Sequence, residues 1–129
     1  MSTLRQSRMK PAASASNVSV IIPAFNRAKT VGRAVSSILT QSVLPREIIV
    51  VDDGSSDDLK DSLTPFADRV RVIRHTANKG ASAARNTGIW AATGELIAFL
   101  DSDDVWTPHK LETQLAFMNT HALNASCTG

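Results

Sequence analysis

An apolar segment that runs directly into three carboxylates is the feature that most constrains how this chain can fold. Residues 96–104 read Leu-Ile-Ala-Phe-Leu-Asp-Ser-Asp-Asp. The five apolar residues can form a buried strand, but Asp101, Asp103 and Asp104 cannot enter a core without compensation. We therefore expect them to emerge together at the carboxyl end of that strand. A divalent cation relieves the repulsion among such groups and takes oxygen ligands from them, so the segment predicts a metal-assisted phosphate site.

Strand and helix patterns alternate along the rest of the chain. Strands are predicted at residues 18–22, 47–51, 70–74 and 96–100, with a further one beginning at 125–128. Helices are predicted at residues 31–39, 57–66 and 81–92, and after an N-cap and first turn at Thr107-Pro108. Because the strands are mostly apolar on both sides, the pattern predicts an α/β fold with a mostly parallel sheet flanked by helices on both faces.

Two acidic loops follow two of these strands. Seven of the twelve acids lie in residues 52–58 and 101–104, and open α/β sheets bind ligands at the carboxyl edge where both loops would lie. Asp52 and Asp53 end a buried strand, where one carboxylate can accept the ring N–H of a pyrimidine and another the hydroxyls of a ribose. Turn formation and helix capping are sufficient to explain residues 55–57.

Two further segments would border the same edge. The segment Asn78-Lys-Gly-Ala-Ser-Ala-Ala-Arg85-Asn86 opens the third helix, whose small residues allow close packing on the sheet. Lys79 is explained by a solvated surface charge, whereas Arg85 is expected to have a specific partner, such as a nucleobase or an acid of the site. Pro23 through Asn26 end the first strand, where Phe25 could form a wall and Asn26 a polar contact.

The tryptophans and histidines give weaker signals. Trp90 and Trp106 are expected to be packing residues rather than ligand platforms. His75, His109 and His121 are scattered and do not have metal-ligand spacing.

Composition is consistent with a single domain and argues against nucleic acid as a partner. Of 129 residues, 43% are hydrophobic, enough for one core. Arg5, Arg8 and Lys10 lie in the acid-free residues 1–16, which we interpret as a disordered basic leader before a domain at 17–129; without these three, acids outnumber bases by one. The sequence shows no signal peptide and no apolar run of membrane-spanning length. With Cys127 as its single cysteine, a cytoplasmic location is expected.

Taken in order, four segments resemble the nucleotide-sugar-binding half of a family 2 glycosyltransferase with the GT-A, Rossmann-like fold. They are Val18-Ser-Val-Ile-Ile-Pro-Ala-Phe-Asn26, Ile48-Ile-Val-Val-Asp-Asp-Gly-Ser-Ser-Asp57, residues 78–86 and residues 94–104. The resemblance covers about residues 18–120. One departure is Phe25, where the family usually has Tyr, so any hydrogen bond from that hydroxyl is lost.

The resemblance implies roles for the matched positions. The implied donor-nucleotide site consists of Pro23, Ala24, Phe25, Asn26, Asp52, Asp53, Lys79, Arg85 and Ser102. Asp101, Ser102 and Asp103 form the implied DXD motif, in which Asp103 is the expected direct ligand of Mn²⁺ or Mg²⁺ and Asp101 the second metal residue. The implied reaction transfers a sugar from a nucleoside diphosphate sugar to an unknown carbohydrate or lipid-linked acceptor, with inversion at the anomeric carbon. UDP is the nucleotide that the family most often uses.

Inversion needs a general base, which in this family lies well downstream of the DXD motif. Glu112 is the sole acid after Asp104 and is a poor candidate. We therefore expect this chain to be a truncated donor-binding half that is inactive alone. Uncovered sheet and helix surface would then favour self-association, and attachment to the inner face of the membrane is left open.

Other protein classes match less well. A Rossmann dehydrogenase would need a glycine fingerprint in the first turn, which reads Pro-Ala-Phe-Asn-Arg. In a haloacid-dehalogenase-like phosphatase the DxD motif would open the fold, and a receiver domain would not explain Arg85. A non-catalytic nucleotide-binding or interaction module is the alternative that the sequence leaves open.

Overall fold

The computed structural model describes residues 14–121. The strands are β1 (Ser14–Ala15), β2 (Val18–Ala24), β3 (Val43–Leu44), β4 (Glu47–Asp52), β5 (Arg71–Arg74) and β6 (Leu96–Phe99). The helices are α1 (Val31–Leu39), α2 (Leu59–Ser62), α3 (Ala81–Ala91) and α4 (Lys110–His121), with a 3-10 turn at Thr64–Phe66.

Four strands form one sheet in the order β5-β4-β2-β6, and every pairing is parallel. The chain runs outward from β2 through β4 to β5 and then crosses back to place β6 on the other side of β2. Strand order therefore reverses beside β2, and its carboxyl end is the point where an open α/β sheet forms its binding crevice. The predicted α/β class with a parallel sheet is confirmed.

The two faces of the sheet are covered unequally. On one face, alternate residues of β2 and β4 pack against the apolar side of α1, where Val31, Ala34, Val35 and Ile38 are buried at helical spacing. On the other face, a smaller cluster packs beneath α3: Ile21, Ile49, Val51 and Ala84.

Close approach explains how α3 covers its face with so few large side chains. A Cβ atom added at Gly88 would overlap the side chain of Ile21. The helix backbone therefore lies directly on β2, as the run of small residues predicted.

Two predicted helices differ in extent from the structure. The helix predicted over 57–66 is divided into α2 and the 3-10 turn, because Pro65 provides no N–H to continue an α-helix. The helix predicted to start at Thr107-Pro108 begins at Lys110 instead. The side chain of Gln41 fixes that start, since its Nε2 donates to Thr107 O at 2.5 Å and its Oε1 accepts the N–H of Leu111 at 3.0 Å.

The two tryptophans have opposite environments. Trp106 is buried in the larger core cluster, as predicted. Trp90 is 89% exposed among the described residues, so the packing role predicted for it is wrong. It lies on the side of α3 that faces away from the sheet.

The edges of the domain bear on three further expectations. Ser14–Ala15 pairs in parallel with Val43–Leu44, so this part of the predicted leader is paired, whereas residues 1–13 and the strand predicted at 125–128 lie outside the described residues. Strand β6 ends the four-stranded sheet, and its Ile97 and Phe99 are exposed; self-association through such a surface stays a prediction. No helix in the described part is long and apolar enough to cross a bilayer.

Candidate functional site

A cleft of about 440 Å³ opens at the carboxyl edge of the sheet, beside the reversal of strand order. Its lining comes from the ends of β2 and β4, the start of α3 and the turn after β6. The lining residues are Pro23, Ala24, Phe25, Arg27, Asp53, Asn78, Gly80, Ala81, Ala84, Arg85, Asp101, Ser102 and Asp103. Both acidic loops predicted to converge therefore border one cavity.

Asp53 is a buried carboxylate in the cleft wall and is 3% exposed. Its Oδ1 accepts the N–H of Lys79 at 2.9 Å and lies 2.7 Å from His75 Nδ1, and its Oδ2 accepts the N–H of Gly80 at 2.8 Å. Burial alone would raise the pKa of Asp53, but these hydrogen bonds outweigh it and leave the pKa below the ordinary value. The group is therefore a fixed anion with acceptor capacity directed at the cleft.

Asp52 lies below the cleft rather than in its lining. Its side chain is completely buried, accepts the N–H of Ser55 at 2.9 Å and pairs with Arg74 at 3.4 Å. In this arrangement Asp52 stabilises the loop after β4, and the nucleotide contact expected of it stays a prediction.

Gly54 allows the loop after β4 to lie against the approach to α3. It has a φ of +76°, and an added Cβ would lie only 2.7 Å from the backbone nitrogen of Asn78. No other residue type fits that contact without displacing the backbone. This contact brings the segment before α3 close enough for its N–H groups to reach Asp53.

Helix α3 supplies the positive side of the cleft. Arg85 is half-buried in the lining and forms no ion pair with an acid of residues 14–121. Lys79 contributes its backbone N–H to Asp53, but its side chain is not part of the lining. Arg85 therefore borders the cleft and Lys79 does not, and the specific partner expected for Arg85 stays a prediction.

The turn after β6 supplies two exposed carboxylates to the cleft. Asp101 and Asp103 both line the cavity, and Ser102 between them is 6% exposed. Asp103 lies 3.9 Å from the guanidinium of Arg27, while Asp104 accepts the N–H of Val105 and does not line the cleft.

These carboxylates suit a divalent cation that is shared with a ligand. Within residues 14–121, no group of three potential ligand residues is close enough to hold a metal by itself. Mg²⁺ commonly takes one or two carboxylates and completes its shell with waters and substrate phosphates. Asp101 and Asp103 fit that donor set.

The end of β2 forms the remaining wall. Phe25 is 45% exposed and presents its ring to the cavity. Asn26 has a φ of 53° and is not part of the lining. Its Oδ1 accepts the N–H of Ser56 at 2.8 Å, and its N–H donates to Ser55 Oγ at 2.9 Å, so Asn26 joins two loops. The polar ligand contact expected of it stays a prediction.

Sequence reasoning missed three polar or charged side chains at or beside the cleft. Arg27 and Asn78 line it, and His75 contacts Asp53. Arg27 and Asn78 adjoin predicted site segments, so their position was a usable signal. His75 follows an edge strand among residues of no evident pattern, and only the strand pairing reveals its neighbours.

A parallel sheet with a cleft at the point of strand reversal defines an open α/β protein of the type that binds ligands at this edge. The family model for glycosyl transferase family 2 matches residues 19–129. The chain therefore belongs to glycosyl transferase family 2.

Curated relatives agree with this assignment. The chain is 42% identical over 102 residues to Escherichia coli WfgD, a UDP-Glc:alpha-D-GlcNAc-diphosphoundecaprenol beta-1,3-glucosyltransferase, covering 78% of this chain and 40% of the relative. It is also 42% identical over 115 residues to Bacillus subtilis TuaG, a putative teichuronic acid biosynthesis glycosyltransferase, covering 87% of this chain and 46% of TuaG. The chain thus spans less than half the length of these relatives.

A solved structure shows the same fold. The complex of S. aureus TarS residues 1–349 with UDP-GlcNAc superposes with a TM-score of 0.73 at 28% identity, covering 81% of this chain and 32% of that TarS fragment. The GT-A-like architecture expected from the four segments is confirmed.

Proposed function

We propose that this chain binds the nucleoside diphosphate part of a sugar donor and forms the donor half of an inverting glycosyltransferase. The observation that carries the proposal is the meeting of Asp53, Arg85, Asp101 and Asp103 around one cleft. A buried anion and a cation lie toward α3, and two exposed carboxylates lie at the turn after β6. Such a site offers polar contacts to a base and a cation site to a diphosphate.

At the base end, Asp53 accepts a ring N–H and Arg85 donates to carbonyl oxygens of the base. Phe25 supplies an aromatic wall on which a planar ring can stack. Asp53 stays ionised at neutral pH because its hydrogen bonds lower its pKa, so it acts as an acceptor only. This chemistry favours a base with an imide N–H, as in uracil.

At the phosphate end, Asp101 and Asp103 would hold Mn²⁺ or Mg²⁺. When bound, the cation supplies charge stabilisation to the diphosphate leaving group. Arg27 lies beside Asp103 and provides a second positive charge at the cleft mouth. The chain's own contribution is to orient the diphosphate and to fix where its charge lies.

The comparisons support a UDP-sugar as donor and leave the acceptor class broad. The name of WfgD gives UDP-Glc as its donor and a diphosphoundecaprenol-linked sugar as its acceptor, and TarS has been crystallised with UDP and with UDP-GlcNAc. By analogy we propose a carbohydrate or lipid-linked acceptor for the whole protein. A lipid-linked acceptor would place the reaction at a membrane surface.

The general base of an inverting reaction is not provided by Glu112. Hydrogen bonds from Ser42 and His109 hold the pKa of Glu112 below its usual value, which weakens it as a base. Glu112 also does not line the cleft. We therefore propose that residues 14–121 bind the donor and that the base is supplied from outside them. Efficient sugar transfer by the 129-residue chain alone would contradict this division.

Calorimetric titration with UDP, GDP and ADP, each with and without Mn²⁺, tests the proposal. We expect Mn²⁺-dependent UDP binding that Asp103→Asn weakens at least about tenfold, since a lost metal ligand costs more than about 1.4 kcal/mol. Asp104→Asn is the matched control, because Asp104 is exposed next to the site but not in the cleft lining.

The outcomes separate the alternatives. Loss of binding in both variants would indicate a general charge effect rather than a metal site. Equal binding of all three nucleotides would contradict base recognition at Asp53. Absence of nucleotide binding would favour a non-catalytic interaction module.

A further inference from the structure

His75 is a buried titratable residue to which the proposed reaction gives no role. It follows β5, is 8% exposed, and its backbone N–H donates to Asp52 O at 2.8 Å, which extends the pairing of β4 with β5. Its imidazole lies between Asp53, at 2.7 Å from Nδ1, and the hydroxyl of Thr87 on α3, at 2.8 Å from Nε2. Both ring nitrogens are therefore engaged.

Asp53 determines which nitrogen of the imidazole carries the proton when the ring is neutral. An ionised carboxylate can only accept a hydrogen bond, so Nδ1 carries the proton that is donated to Asp53. Nε2 is then the acceptor of the Thr87 O–H, and the hydrogen bond at one nitrogen sets the state of the other. Asp53 therefore sets the tautomer, and Thr87, whose hydroxyl can donate or accept, holds the ring in place through Nε2.

Counting acceptor sites shows what this contact does for Asp53. A carboxylate has about four lone-pair directions. His75 and the N–H of Lys79 occupy Oδ1, and the N–H of Gly80 occupies one direction on Oδ2. One direction on Oδ2 is therefore left for a ligand, and rotation of the carboxylate would change which oxygen offers it.

We propose that His75 is a positioning residue of the donor site, which holds the Asp53 carboxylate in the orientation that recognises the base and is itself oriented by Thr87. This inference rests on the proposed function, because it assigns the base contact to Asp53. It extends the site to an Asp53–His75–Thr87 relay that joins the ends of β4 and β5 to α3. Arg85, two residues before Thr87, shares the helix that the relay anchors.

Three substitutions of His75 separate positioning from packing. In His75→Asn the side-chain amide lies near the position of Nδ1, so it keeps the hydrogen bond to Asp53 and loses the one to Thr87. In His75→Gln the amide lies near the position of Nε2, so it keeps the hydrogen bond to Thr87 and loses the one to Asp53. His75→Phe loses both hydrogen bonds. We expect UDP affinity in the presence of Mn²⁺ to fall at least about tenfold in the Phe and Gln variants, which is about 1.4 kcal/mol, and to be largely retained in the Asn variant.

A ligand without a base provides the second readout. Mn²⁺-pyrophosphate lacks the group that Asp53 binds, so its affinity should be unchanged in all three variants and in Thr87→Val. In the wild type, ¹⁵N chemical shifts of the imidazole should show protonation at Nδ1, because the ionised Asp53 can only accept. Thr87→Val, which removes the contact that orients the ring, should weaken UDP binding without moving that proton. Thr87→Val also tests the relay should the His75→Phe variant fail to fold.

The possible results are distinguishable. If UDP binds the wild type and binds His75→Phe or His75→Gln within twofold of it, the positioning role is overturned while the donor site stands. If pyrophosphate affinity falls in parallel with UDP affinity, His75 has a structural role only, and the inference is again wrong. If the wild type binds no UDP, it is the proposed function that fails.

Discussion

The guanidinium of Arg27 lies 3.9 Å from the carboxylate of Asp103 at the mouth of the cleft, and both side chains are about half exposed, at 50% and 55%. An exposed pair at this distance contributes little to stability. Its importance is local, because a fixed positive charge lies where a divalent cation would approach the same carboxylate. A diphosphate would bring negative charge to both.

Arg27→Met should therefore change two affinities in opposite directions. Without nucleotide, Mn²⁺ should bind more tightly, by up to about 1 kcal/mol or fivefold, because a like charge about 4 Å from the ligand is removed. With Mn²⁺ saturating, UDP should bind more weakly, since a cation beside the diphosphate is lost. Calorimetry at low ionic strength measures both. Arg33→Met removes the same charge from an exposed position on α1. Equal effects of the two variants would show that overall charge, and not the position of Arg27 beside Asp103, causes the change in affinity.

Gly88→Ala should destabilise the fold. The new methyl group would overlap Ile21 where α3 lies on β2, and overpacking of this kind costs about 1–3 kcal/mol. Gly32→Ala on α1 is the matched control, because its Cβ would lie 3.6 Å from Phe66, an ordinary contact. That substitution should stabilise by roughly 0.5–1 kcal/mol through helix propensity. Urea unfolding measures both, and a Gly88→Ala variant as stable as Gly32→Ala would show that α3 can move off the sheet.

Most of the fold could be predicted from the periodicity of apolar residues and from the turn-forming and capping residues between the apolar segments. The buried residues of β2 and β4 form uninterrupted apolar runs, and those of α1 recur at helical spacing, so strand, helix and parallel sheet followed. Predicted helix boundaries were wrong where residues distant in sequence determine them. The start of α4 depends on Gln41, which is about seventy residues away along the chain from its partners, and no local pattern contains that information.

The location of the candidate site could be predicted from the sequence. Which of its residues face the cleft and which are buried beside it could be predicted less well. Adjacent acids after a strand predict a ligand edge, yet one faces the cleft as Asp53 and the other is buried as Asp52 against Arg74. Strand alternation separates the two faces, but which neighbour meets the ligand depends on the loop that follows. His75 shows the same limit, since its partners become neighbours only after β5 pairs and α3 packs.

Glu47 provides a test of pH-dependent stability that is free of histidine coupling. It accepts hydrogen bonds from Ser19 Oγ at 2.6 Å and from the N–H of Thr93 at 2.6 Å. Burial would raise the pKa of Glu47, but these hydrogen bonds outweigh it, so the folded-state pKa lies below the ordinary value. A lowered pKa stabilises the fold above the unfolded-state value of about 4.3 and loses that contribution as pH falls through the folded pKa.

Glu47→Gln should therefore reduce stability at pH 7 by about 1 kcal/mol and flatten the decline in stability below about pH 5. Urea midpoints at pH 7, 5, 4 and 3 give both quantities. Glu95→Gln makes the same charge change at a residue outside this hydrogen-bond network and should leave the acid limb as steep as in the wild type. Parallel curves for wild type and Glu47→Gln would show that the ionised Glu47 contributes nothing.

Phe25 should be the main aromatic contact of the bound base. It lines the cleft at 45% exposure, and stacking of a base on an aromatic ring is worth about 1–3 kcal/mol, or about 5- to 150-fold in Kd. Phe25→Ala should weaken UDP binding by that factor, whereas Phe25→Tyr should retain it within about threefold because the ring is preserved. Trp90→Ala removes a more exposed aromatic ring that is not part of the cleft lining, and UDP should bind this control as it binds the wild type. Unchanged binding by Phe25→Ala would place the base elsewhere in the cleft, against Arg85 and away from the end of β2.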